Sequence, residues 1–352
     1  MTGKNRMLRF ESRILTAMFQ DAREGHIIRP IEVRTHPITG RRCRITFSRS
    51  LESESALQTL PPPPPDADHR GSCPFCSSRL DEQTPRLHPG IAPEGRMRCG
   101  LSILFPNLYP YGAFSAVSLF DDRHFVEIGT ADADTYADSL LNCVRYLKRV
   151  WRFAPEAVFM AITQNHLPAA GGSLVHPHLQ VHADRIPSNH HAFLMRRAAD
   201  YRDQTGHLLF SDYLDAERTA GKRIIGQTGI WHWMAAFAPE GFFEIWAICP
   251  GITSFFQLNT GQWHDLARGV VNAQHFYRSL CRNSYNLGVL ATEQGQSAME
   301  LKVSMMARAN YAPWVRSDIT GYEVMLGDMA TFNAPEETAE LARPFWEPGK
   351  SA

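Results

Sequence analysis

The chain has 352 residues, 44% hydrophobic and 20% charged, the balance of a soluble globular protein large enough for two moderate domains or one pseudo-symmetric unit. Lys and Arg together number 36, as do Asp and Glu, which argues against a broad electrostatic footprint on nucleic acid or membrane. No stretch approaches the roughly 18 apolar residues of a spanning helix, and residues 1–19 carry charges throughout with no signal-peptide core, so a cytoplasmic protein is expected.

Residues 28–33 and 42–47 read as short strands around the turn His36-Pro37-Ile38-Thr39-Gly40. Residues 50–70 read as a loop, with a stiff proline run at 61–65. Cys73-Pro74-Phe75-Cys76 presents two thiolates at metal-chelating distance. A redox pair is the other reading, without the βαβ context such a motif has. The other five of the seven cysteines are scattered singly, which excludes a disulfide framework. Residues 103–105 begin a strand that 106–112 break, and 116–120 and 124–126 look strand-like around Asp121-Asp122. A helix over 130–151 places Tyr136, Leu140, Cys143, Val144, Leu147 and Trp151 on one stripe. Thr130 or Asp132 can cap it, and Lys148, Arg149 and Arg152 suit its C-terminal end.

A buried strand at 157–163 and a loop at 164–173 lead to the most informative segment, Gly171-Gly172-Ser173-Leu174-Val175-His176-Pro177-His178-Leu179-Gln180-Val181-His182. In a strand, His176, His178, Gln180 and His182 share one face while Pro177, Leu179 and Val181 face the core. An imidazole-rich face on an apolar strand is costly unless used. Directly after Gly-Gly-Ser, it points to a phosphate bound by main-chain N–H groups beside a nucleophilic or basic imidazole.

The second half repeats the order strand (242–248), helix (261–281), strand (285–291), loop and strand (300–309), with Trp263, Leu266, Val270, Ala273 and Phe276 on the helix's buried side. Residues 189–205 and 211–220 read as excursion helices between the halves. The expected fold is α+β: two copies of one unit, residues 1–188 and 189–352, with mainly antiparallel sheets and packed helices. The second copy's final strand has no histidines.

The segment from Asn165 through Gln180, with Gly-Gly-Ser and His-Pro-His-x-Gln, resembles the active-site segment of the galactose-1-phosphate uridylyltransferase family, a branch of the histidine-triad superfamily. The hairpin at His36–Gly40, Cys73-x-x-Cys76, Phe105-Pro106-Asn107-Leu108 and the C-terminal Gly321-Tyr322-Glu323 resemble further family segments. The resemblance implies a histidine-triad-like unit in each half and a nucleotidyltransferase working on a nucleotide or nucleotide sugar. His178 is the implied nucleophile, and Gln180 holds the nucleotidyl intermediate. Asn165, Gly172, Ser173, Arg49, Tyr322 and Glu323 contact phosphate or nucleotide, and a phosphate or sugar phosphate is the acceptor. Cys73, Cys76, His124 and His176 would hold a structural zinc ion. His182 receives no task, and a homodimer stays open.

The chain also departs from the pattern. Ile103 and Leu104 stand where uridylyltransferases place an Asn-Asp pair for the ribose. Glu52 replaces a second phosphate-binding arginine. Leu167 replaces a glycine after the active-site asparagine, and Ala307 and Ala309 stand where some members bind a second metal, so that metal is expected to be absent. These changes keep open adenylyl transfer or a sugar-nucleotide phosphorylase reaction and, in another class, a zinc-stabilised nucleotide-binding regulatory protein.

Overall fold

A computed structural model of the protein describes residues 8–21, 25–46, 59–293, 295, 297–308 and 318–347. Its elements in chain order are β1 (Glu11–Asp21), β2 (Gly25–Thr35), β3 (Arg42–Thr46), α1 (Ser77–Gln83), β4 (Met97–Cys99), β5 (Ser102–Pro106), β6 (Phe114–Leu119), α2 (Ala133–Phe153), β7 (Phe159–His166) and β8 (His178–Asp184). There follow α3 (Asn189–Thr205), α4 (Leu209–Ala220), β9 (Ile224–Thr228), β10 (Trp231–Ala235), β11 (Phe242–Cys249), α5 (Thr260–Ser279), β12 (Tyr285–Thr292), β13 (Leu301–Ala307), β14 (Met329–Thr331) and α6 (Pro335–Ala342).

Ten strands form one antiparallel sheet in the order β4-β5-β6-β8-β7-β12-β13-β11-β10-β9. The order β1-β2-β3-β14 makes a smaller sheet, in which β14 runs parallel to β3. The runs β6-α2-β7-β8 and β11-α5-β12-β13 share one connectivity, in which the last strand inserts between the first two. They meet at a seam where β7 and β12 pair from His166 opposite Tyr285 to Phe159 opposite Thr292.

One face of the large sheet contributes Ile162, Leu179, Val181, Val289 and Val303 to the main core, together with the apolar stripes of α2 and α5. Asp132 caps α2, accepting from the Thr135 N–H at 3.0 Å. Tyr136, Leu140, Cys143, Leu147 and Val150 are buried along it. Trp151, expected on that stripe, is 41% exposed. Alternating steps of four and three residues carry the stripe to Val150, and the next position is turned about 100° away. In α5, Asn259 and Gln262 form a reciprocal capping box, and the five expected core residues are all buried.

Two further boundaries differ from expectation. Residues 124–126 form no strand, and β8 begins only at His178, leaving His176 in the loop before it. β1 was not expected at all. Among the described residues, no helix is long and apolar enough to cross a membrane.

Candidate active site

Four side chains from three separate segments converge beside β8. Cys73 and Cys76 precede α1, His124 lies after β6, and His176 lies two residues before β8. All four are buried, and their ligand atoms lie within 4.8 Å of one another. Cys76 Sγ is 3.4 Å from His124 Nδ1, and His176 Nδ1 is 3.8 Å from both sulfurs. Tetrahedral bonds of zinc-like length separate N and S ligands by about 3.4–3.8 Å. The far ring nitrogens are turned away from the cluster: His124 Nε2 donates to the Asp66 carbonyl at 2.8 Å and His176 Nε2 faces the Asp121 carbonyl at 3.4 Å. Such bonds orient a metal-binding imidazole. Burial and the neighbouring Cys73 push the Cys76 thiol up to about 11, whereas a bound dication would deprotonate it. The donor set, its burial and its outer contacts fit a metal ion.

Leu179, Val181 and Ala183 of β8 belong to the main core, so His178, Gln180 and His182 occupy the opposite face, as the alternation predicts. His178 Nδ1 donates to the His176 carbonyl at 2.7 Å. That bond leaves the lone pair on Nε2. Burial lowers the His178 pKa below the usual 6.5, with the bond to His176 acting against the shift. The ring is therefore neutral at pH 7. Phe75, between the two cysteines, stands edge-on to it at 5.5 Å. The loop between the two cysteines thus packs directly on the imidazole that carries the free lone pair.

The β6 side of His178 is closed by packing. Leu119 pairs with His178 and Val117 with Gln180. Both join Leu80 and Phe105 in a small buried cluster, against which Ile103 and Phe75 pack. Leu104 points into the main core. Both positions of the expected ribose-binding pair therefore make apolar contacts.

The β7 side is polar. Thr163 pairs with Gln180, and Asn165 lies two residues further along. Asn286 of β12 donates to Asn165 Oδ1 at 2.7 Å and to the Ala170 carbonyl at 2.9 Å. Asn286 Oδ1 in turn accepts from Arg308 at 2.6 Å, and Arg308 grips Asp318 with two bonds of 2.8 and 2.7 Å. With its oxygen engaged, Asn165 keeps its amide N–H donors for another partner. Sequence reasoning missed Asn286 and Arg308, because neither belongs to a motif.

The glycine-rich loop departs from its expected role. Gly172 is needed for room: a Cβ there would lie 3.0 Å from the carbonyl oxygens of Asn165 and Leu167. Its N–H donates to the Leu167 carbonyl at 3.1 Å, and the Gly171 N–H donates to Pro168 at 2.9 Å. These two amides close the loop and do not face a ligand, while Ser173 is exposed. Leu167 has φ 70° and ψ 163°, a conformation that costs a non-glycine residue about 1–3 kcal/mol. Its side chain is only 3% exposed, and that burial offsets the strain.

Of the remaining expected residues, Arg49 lies outside the described residues. Tyr322 and Glu323 open a π-turn, Tyr322–Leu326, next to β14. Tyr322 stacks under the Arg44 guanidinium at 5.8 Å, and Glu323 accepts from the Thr320 N–H at 2.8 Å. These contacts belong to the small sheet. His182 is tied to Ser115 Oγ at 3.1 Å. One unexpected histidine sits near His178. His166 stacks on Tyr285 at 5.0 Å, its Nε2 has no partner among the described residues, and burial with the nearby His178 lowers its pKa to about 4.

No protein-family model matches the chain. An uncharacterized protein of Archaeoglobus fulgidus is 26% identical over 317 residues, 90% of this chain and 92% of that protein. An ADP-glucose phosphorylase from Arabidopsis thaliana superposes with TM-score 0.66 at 19% identity, over 89% of this chain and 98% of that one. A GalT-like protein from the same plant gives 0.65 at 20% identity, over 88% and 98%. A uridylyltransferase gives 0.65 at 17% identity, over 89% and 98%. The chain has the galactose-1-phosphate uridylyltransferase-like fold.

Proposed function

We propose that the chain is a nucleotidyltransferase that moves an NMP group between a nucleotide sugar, or another nucleoside diphosphate derivative, and a phosphate or sugar 1-phosphate. The observation that carries this reading is the 2.7 Å bond from His178 Nδ1 to the His176 carbonyl, which leaves a neutral imidazole with its lone pair on Nε2. Nε2 attacks the α-phosphorus. The P–N bond forms as the bond to the bridging oxygen breaks, and the leaving phosphate keeps that electron pair. Nδ1 retains its proton against the His176 carbonyl throughout. An oxygen of the incoming phosphate then attacks the same phosphorus and breaks the P–N bond. Two easier displacements replace one difficult one.

Gln180, Asn165 and Ser173 are the proposed donors to the phosphoryl oxygens, where preorganised charge stabilisation is worth most. Arg49, Tyr322 and Glu323 are proposed nucleotide contacts. The cluster Cys73, Cys76, His124 and His176 is proposed to hold zinc, since two thiolates and two imidazoles in a closed tetrahedral set suit that ion. It would anchor the Phe75 loop against His178 and take no part in the chemistry. We also place the boundary between two duplicated units near residues 188 and 189. Adenylyl transfer to phosphate is the second reading, supported by the superposition on an ADP-glucose phosphorylase.

The test is incubation with α-labelled UDP-, ADP- and GDP-sugars, nucleoside triphosphates and dinucleotides. An acid-labile, base-stable label on the protein, absent in His178→Ala, is expected. No label from any of them would leave a nucleotide-binding protein without turnover.

A further inference from the structure

The long strands of the small sheet are anchored at one end. Phe10 lies 5.1 Å from the rings of Tyr213 and Phe237, and Arg34 bonds Glu336 at 2.9 Å, which fixes the base of β1 and β2 to the rest of the chain. β3 pairs with β2 only from Ile31 to Thr35, whereas β1 pairs with β2 along its whole length. From Thr16 opposite Pro30 to Asp21 opposite Gly25, the two strands form a ribbon with no third strand beside it among the described residues. Ile14, Leu15, Met18, Phe19 and Ile28 are between 43% and 76% exposed, and no residue from 11 to 20 or from 26 to 30 is buried. A two-stranded ribbon alone is marginal in water, and large apolar side chains clustered in solvent mark a contact surface.

Alternation sorts the ribbon into two faces. Leu15, Ala17 and Phe19 share one with Ile27 and Ile31, while Ile14, Thr16 and Met18 share the other with Ile28 and Pro30. Both are mainly apolar, the pattern of strands covered on two sides. The two edges differ. β2 carries Pro30, which has no N–H to offer, within the stretch that β3 does not reach. β1 is an edge strand with no proline, glycine or lysine, so nothing guards its outer row of N–H and C=O groups. That edge is self-complementary. About a two-fold axis normal to the sheet, β1 meets the same strand of a second copy antiparallel, and residues set opposite each other share a face. An axis at Thr16 would set Arg13 against Phe19, and one at Leu15 would set Glu11 against Phe19. An axis at Ala17 sets Leu15 against Phe19 on one face and Thr16 against Met18 on the other. It also sets Arg13 across from position 21, which the sequence fills with an acid.

We propose that two copies of this chain associate through the β1 edge, antiparallel about an axis at Ala17, which joins their four-stranded sheets edge to edge. The partner is a second copy because both members of the matched pairs, Leu15 with Phe19 and Thr16 with Met18, come from β1 itself. The association is independent of the chemistry at His178. Two measurements on the full chain test it. Sedimentation equilibrium reads the mass: two chains are expected for the wild type at micromolar concentration. Leu15→Glu, which sets a carboxylate against Phe19, is expected to raise the dissociation constant tenfold or more. Oxidation with diamide reads the register. Opposite residues of antiparallel strands have Cα atoms about 4.5–5.5 Å apart, within reach of a disulfide. Ala17→Cys is therefore expected to cross-link two chains. Leu15→Cys, whose counterpart lies four residues along the facing strand, is not, and the wild type under diamide gives the background of the native cysteines. A single-chain mass for the wild type overturns the proposal. So does Ala17→Cys cross-linking no more than Leu15→Cys. A dissociation constant within tenfold of the wild type's, in a Leu15→Glu variant that unfolds at the wild-type temperature, overturns it as well; if that variant misfolds, the cross-linking pair decides.

Discussion

An asparagine amide is useful at a phosphate only if its nitrogen, not its oxygen, faces the charge. For Asn165 that choice is made by Asn286, which occupies the oxygen and is itself held by Arg308 and Asp318. Asn286→Leu is expected to lower kcat/KM by about tenfold or more, short of the 10²–10³ seen when an oxyanion donor is removed outright. Circular dichroism of the variant should match the wild type; unchanged kinetics would uncouple Asn286 from the site. His178 and Gln180 were legible because alternation places them on one face whatever the rest of the fold does. Asn286 was not, because its partner is 121 residues away. The only hint was a polar residue and Gly288 on one face of an otherwise apolar strand. Gly171 and Gly172 were legible as a tight loop but misread as anion donors, since sequence does not reveal which carbonyl takes an N–H.

The segments around the cysteine cluster have few other reasons to stay together. α1 has one buried residue, Leu80, and Pro65–Asp68 and Arg70–Ser72 are single 3-10 turns with none. Cys73→Ser is therefore expected to release the metal and lower Tm by about 5–10 °C, the scale of a few kcal/mol in a chain of this size. Metal analysis with a thermal scan checks it, and an unaltered metal content would remove Cys73 from the ligand set. Elements with a clean period were legible: α2, α5 and the strands β6, β7, β8, β11, β12 and β13. β1 was not. Its apolar residues Ile14, Leu15, Ala17 and Met18 suggest no alternation, and Ile14 and Met18 are 61% and 76% exposed. Pairing with β2, from Glu11 opposite Thr35 to Asp21 opposite Gly25, makes it a strand. That tertiary contact overrides local pattern.

Across the whole molecule, several imidazoles are folded in their neutral form. His191 is 2% exposed and its Nε2 meets Thr292 Oγ1 at 2.9 Å. Burial, then the nearby His190, lowers its pKa from 6.5 to about 4; burial does the same for His166, and takes His36 to about 3. The unfolded chain binds these protons first, so their contribution is complete above pH 6.5 and is lost as pH falls toward the folded values. At pH 5 each such histidine costs about 2 kcal/mol. Glu217 and Glu244, whose carboxyls burial pushes up, act in the opposite sense, so a difference measurement isolates the effect. Between pH 7 and pH 5, His191→Asn should lose less Tm than the wild type; an equal loss would rule out its titration.

The seam between β7 and β12 has a consequence for any attempt to halve the protein. A fragment ending at residue 188 retains β8, the cysteine cluster and His178. It also carries β7 with one bare edge, a row of N–H and C=O groups in an eight-residue strand that β12 otherwise occupies. Such an edge is a template for self-association, and its nearest complement is the same edge on another fragment. The second half, whose last strand carries no histidine, therefore covers this edge with β12 and keeps the first half from sticking to itself.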